Sequence, residues 1–103
     1  PGGPLRVCEE DKAEMTKVLV VDNDGSARKT VVDILSRLQY EVTEASNGGD
    51  VVETVNAERP DLILMKVELP VMDGLDVLNR LREHPACSET PVIMMASENN
   101  PAN

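Results

Sequence analysis

Three runs of apolar residues dominate the chain: Val18-Leu19-Val20-Val21, Leu62-Ile63-Leu64-Met65 and Pro91-Val92-Ile93-Met94-Met95. None alternates with polar residues, as expected of strands covered on both faces, and such strands belong to parallel sheets. Each run stops abruptly, the first at Asp22-Asn23-Asp24-Gly25, the second at Lys66 and the third at Ala96-Ser97-Glu98. A fourth segment, from Tyr40 to Ala45, alternates polar and apolar residues and reads as a strand at the sheet edge with one solvated face.

Between the strands lie helical patterns. Ala27, Val31, Ile34, Leu35 and Leu38 recur at helical spacing, which predicts one apolar stripe on a helix to about Gln39, with Ser26 as its N-cap. Asn47-Gly48-Gly49-Asp50 breaks the chain before a second helix carrying Val51, Val52 and Val55, which must stop before Pro60 because a residue preceding proline avoids helical backbone angles. Leu69 to Gly74 reads as a turn, and Leu75, Leu78 and Leu81 mark a third helix ending near His84-Pro85. Four strands alternating with three helices predict an α/β fold with a parallel sheet and right-handed crossovers. In such folds ligands bind past the carboxyl ends of the strands, here at Asp22-Asn23-Asp24, Lys66 and Ala96-Ser97.

Composition narrows the function. The 103 residues hold 19 Asp plus Glu against 10 Lys plus Arg, a formal charge of −9. A chain this size buries roughly 60–65% of its unfolded surface, enough for one core. With no basic cluster to neutralise phosphates, contact with nucleic acid is not expected. Tyr40 is the one aromatic residue, so stacking on bases or flavins is poorly served. Cys8, Cys87 and His84 form no metal-ligand pattern and no disulfide framework, and so few thiols fit a reducing compartment. No apolar run approaches the length of a membrane span, and the segment 1–16 is acidic on balance where a signal peptide is basic, which together point to the cytoplasm. Residues 1–16 have Pro, Gly and mixed charge without apolar periodicity and read as a tail or linker, leaving 17–103 as the domain.

VLVVDND (Val18 to Asp24), LILMKVELPVMDG (Leu62 to Gly74) and PVIMMAS (Pro91 to Ser97) together resemble the receiver domain of two-component response regulators. The resemblance implies a flavodoxin-like sheet, in the family's order 2-1-3-4-5, of which this chain is expected to hold 2-1-3-4 and to lack the last helix-strand-helix. It also implies non-enzymatic phosphorelay signalling with a histidine kinase or an output domain as protein partner. An Asp closing strand 3 would accept the phosphoryl group, acidic residues closing strand 1 would help hold Mg²⁺, and a hydroxyl closing strand 4 would sense the phosphate.

This chain departs from that pattern at several of those points, while Asp22 keeps the first acidic position. Lys66 stands at the phosphoacceptor position, where an ammonium has no oxygen to form an acyl phosphate and repels Mg²⁺. Asn23 stands at the second acidic position, beside Asp24. Ala96 replaces the hydroxyl, with Ser97 one residue on. Asp22, Asp24 and Glu68 therefore make at most a weak, vestigial metal set, and no cofactor is expected. Because strands 1 and 3 are neighbours, the Lys66 ammonium can lie over Asp22 and Asp24 in place of the divalent ion. These residues predict a receiver that works by protein contact without phosphorylation. The alternatives are a receiver phosphorylated on another carboxylate, such as Asp24, or a nucleotide- or flavin-binding α/β domain, which would lack GxGxxG and GxxxxGK[ST] here. Without a fifth strand, the apolar strand 4 would be an open edge inviting a homodimer or segment exchange.

Pro70, Asp73 and Gly74 read as the turn that positions the third helix. Met65, Met94 and Met95 read as core, and Cys87 as an incidental loop thiol.

Overall fold

The computed structural model describes residues 16–96. Residues 1–15 of the expected tail, together with Ser97, lie outside the described residues. β1 spans Lys17–Val21, α1 Gly25–Arg37, β2 Glu41–Ala45, α2 Val51–Glu58, β3 Leu62–Lys66, α3 Gly74–Glu83 and β4 Val92–Met95. Short 3-10 turns, Gly48–Asp50 and Pro85–Cys87, precede α2 and follow α3.

All strands pair in parallel, in the order β2-β1-β3-β4, as expected. The alternating strand β2 is indeed an edge, and β1 is central. Leu19 and Val21 of β1 with Ile63 and Met65 of β3 point to one face, where Val51 and Val55 of α2 and Val77 and Leu81 of α3 complete the buried core. Cys87 lies in the segment after α3 as expected, but it is 1% exposed within this core, so it is a packing residue rather than an incidental thiol. The burial of a small, weakly polar side chain at the turn after α3 accounts for that placement.

The opposite face is less covered. No residue of α1 is buried, and Ile34 and Leu38 of the expected stripe are 51% and 62% exposed. The spacing is helical as predicted, but among the described residues no second helix packs beside α1 to bury its outer side. The predicted cap also moves: Asp24, not Ser26, is the N-cap, its Oδ1 accepting from the N–H groups of Ser26 at 3.0 Å and Ala27 at 3.3 Å. A carboxylate one residue before the helix reaches the second and third free N–H groups, which a side chain inside the first turn cannot do. α1 ends at Arg37, with Gln39 left-handed at φ 73°. α2 stops at Glu58 with Arg59 left-handed at φ 52°, so the residue before Pro60 avoids helical angles.

Candidate functional site

The carboxyl ends of β1 and β3 meet because of strand register. Val21 pairs with Met65, so the next residues, Asp22 and Lys66, emerge side by side. β4 continues the row, with Lys66 opposite Met95 and the N–H of Val67 donating to the Met95 carbonyl at 2.9 Å. Gly74, the first residue of α3, donates its N–H to the Val67 carbonyl at 2.7 Å and ties that helix to the end of β3.

Asp22 is 7% exposed, and the structure holds it from several sides. Its N–H donates to the Ala45 carbonyl at 3.1 Å, continuing the β1–β2 ladder. Its Oδ1 accepts from the Asp24 N–H at 2.9 Å and lies 3.8 Å from Lys66 Nζ. A carboxylate removed from water needs such partners, because an unpaired buried charge is costly. Sequence reasoning missed one further contributor, Arg28. Its Nη1 donates to the Asp22 carbonyl at 2.7 Å and its Nε to Glu44 Oε1 at 2.8 Å, joining α1, β2 and the end of β1. An arginine one helical turn into α1 was the available signal.

The remaining sequence candidates scatter. Asn23 and Asp24 are exposed, and the Asp24 carboxylate is turned back onto the start of α1. Glu68 and Ala96 are exposed, and Ser97 lies outside the described residues. The described residues contain no group of three or more His, Cys, Asp or Glu side chains able to hold a metal ion. Asp22, Asp24 and Glu68 are thus not gathered as even a weak metal set, which corrects that expectation. Mg²⁺ demands several oxygen ligands in near-octahedral array. Here Asp22 already faces an ammonium and Asp24 caps a helix, so the residues present do not fit the ion.

The turn from Leu69 to Asp73 positions α3 as expected. Asp73 Oδ1 accepts from the N–H groups of Leu75 at 2.9 Å and Asp76 at 3.2 Å. The Met72 N–H donates to the Pro70 carbonyl at 2.7 Å around Val71, whose φ is 73°. That is a tight three-residue turn centred on a β-branched residue, which nothing in the sequence signalled. On the core side, burial raises the Cys87 thiol above its ordinary value of 9.0, against the opposing influence of Arg59 and Arg82.

The parallel sheet of order β2-β1-β3-β4 with helices between its strands defines a receiver-type α/β domain. The response regulator receiver domain family matches residues 18–103, and the chain belongs to that family. It is 44% identical over 85 residues to a protein-glutamate methylesterase/protein-glutamine glutaminase of Geobacillus kaustophilus, covering 79% of this chain and 23% of that protein. It is 34% identical over 93 residues to the transcriptional regulatory protein ResD of Bacillus subtilis, covering 90% of this chain and 38% of that protein. Among solved structures, the chemotaxis response regulator CheY4 of Vibrio cholerae superposes with a TM-score of 0.77 at 33% identity, over 84% of this chain and 72% of that one. The chain thus spans well under half the length of these two curated relatives. No described helix is long and apolar enough to cross a membrane.

Proposed function

We propose that this chain is a two-component receiver domain that signals through protein–protein contact and does not accept a phosphoryl group at the end of β3. The observation that carries the reading is Lys66 Nζ lying 3.8 Å from Asp22 Oδ1 at the carboxyl ends of adjacent strands. An ammonium at that point offers neither a nucleophilic oxygen nor room for the charge-neutralising ion that phosphoryl transfer uses. Asp24 is a poor substitute acceptor, since its carboxylate is engaged at the start of α1.

The partners are then a histidine kinase or an output domain of a two-component pathway, in the cytoplasm, with no enzymatic step in this domain. The acidic balance disfavours nucleic acid as a direct partner. The open outer edge of β4, paired only with β3 among the described residues, adds self-association as a mode of contact.

Intact mass before and after incubation with acetyl phosphate and Mg²⁺ tests the reading. An unchanged mass is expected. A phosphate adduct would overturn it, and peptide mapping would then name the acceptor.

A further inference from the structure

We propose that the Lys66 ammonium is a tethered cation occupying the place of the divalent ion beside Asp22, so that the domain neither requires nor admits Mg²⁺ or Mn²⁺ there. The proposal builds on the reading of the chain as a receiver and concerns the charge balance of the same site.

Four observations converge on it. The β1–β3 register fixes Asp22 and Lys66 as neighbours, so the contact is built into the sheet rather than made by two wandering side chains. The pair lies 3.8 Å apart with Asp22 nearly buried, where an attraction between opposite charges is weakly screened. The carboxylate has a second partner in the Asp24 N–H, and no buried side-chain nitrogen or oxygen among the described residues lacks a hydrogen-bond partner. Finally, position 23 is a neutral Asn and Asp24 is committed to its helix cap. One carboxylate therefore faces one ammonium, and the local charge is already balanced. A dication entering beside Asp22 would meet Lys66 at the distance of a direct contact, where like charges repel strongly at any dielectric below that of water.

The consequence is that neutralisation of Asp22 is carried by the chain itself. It does not vary with the supply of metal. A compact ammonium on a flexible stem suits this role, since the long stem lets the charge reach the carboxylate on the neighbouring strand.

The test uses the full 103-residue chain, ¹⁵N-labelled, titrated with Mn²⁺, and read as selective paramagnetic broadening of the amide signals of Asn23, Asp24 and Val67. The wild-type chain is expected to show none. Lys66→Met and Lys66→Gln free the Asp22 carboxylate, and the exposed Asp24 carboxylate can exchange its cap for a metal bond, so both are expected to broaden selectively, with apparent Mn²⁺ affinity raised at least about tenfold. Lys66→Arg, which keeps the charge, is expected to exclude the ion as the wild type does. Selective broadening in the wild type, or its absence in a folded Met or Gln variant, would overturn the proposal. Should neither neutral variant fold while Lys66→Arg does, the need for a positive charge at this point is upheld. Loss of folding in all three would overturn it. A phosphate adduct on the wild-type chain would sink the proposed function while leaving the Mn²⁺ result to stand or fall separately.

Discussion

The Met72 carbonyl occupies the space that a Cβ on Gly48 would need, with Val77 Cγ2 only 3.0 Å from the same point. Gly48 also donates its N–H to the Pro70 carbonyl at 3.3 Å, so the β2–α2 turn and the β3–α3 turn are pressed backbone to backbone. Gly48→Ala is therefore expected to destabilise the fold by about 2–3 kcal/mol, because backbone rather than a flexible side chain would have to move. Urea denaturation with an unchanged slope would report it, and a loss under half of that range would mean the turns separate easily.

Val71 offers the opposite experiment. Its φ of 73° is disfavoured for a β-branched residue, and its side chain is 82% exposed, so little packing offsets the strain. Val71→Asn, which tolerates positive φ, is expected to stabilise the domain by about 0.5–1 kcal/mol. A fall in the thermal midpoint would show that the packing of the Val71 side chain matters more than backbone strain.

Cys87 links the core to pH. Burial, the largest influence, raises its folded-state pKa above the ordinary 9.0, so the folded form retains its proton where the unfolded form releases it. The stabilisation is fully present below pH 9 and is lost as pH rises through that value toward the higher folded pKa. Cys87→Ala should flatten the alkaline limb of the stability profile relative to wild type, at the cost of a small cavity. In a Cys8→Ser background, alkylation of Cys87 is expected to be slow until denaturant is added. Rapid alkylation of the folded chain would contradict its burial.

β4 supplies the test of assembly. Its outer edge has no partner strand among the described residues, and Ile93 is 52% exposed beside it. Concentration-dependent dimerisation is expected by light scattering, growing with added salt as the −9 charge is screened. Ile93→Lys is expected to weaken it. A strictly monomeric chain at high protein concentration would remove self-association from the account.

The three unalternating apolar runs determined that β1, β3 and β4 are strands, but burial on both faces holds only for Val18 to Val21 of β1; β3 alternates buried and half-buried residues, and β4 has no buried residue because its outer side is uncovered among the described residues. The mixed pattern from Tyr40 to Ala45 likewise determined an edge strand. Pro60 and the Asp73-Gly74 pair determined where α2 ends and α3 begins, through backbone angles that are local by nature. Sheet order came from resemblance to the receiver family, and the structure has the same order.

Tertiary structure decided the rest. Whether Ile34 and Leu38 are buried depends on what lies beside α1, which periodicity within one helix does not encode. The choice of Asp24 over Ser26 as cap depends on where β1 releases the chain. Cys87 joined the core because the turn after α3 folds back over it, and Val71 took a positive φ because Gly48 fixes the path of its neighbours. Asp22 and Lys66 were each visible as the residue ending an apolar run. Their meeting at 3.8 Å required strand register, a relation between segments far apart in the chain. The separation of Glu68 and Asp24 from any metal set likewise follows from where each side chain's hydrogen bonds and exposure leave it.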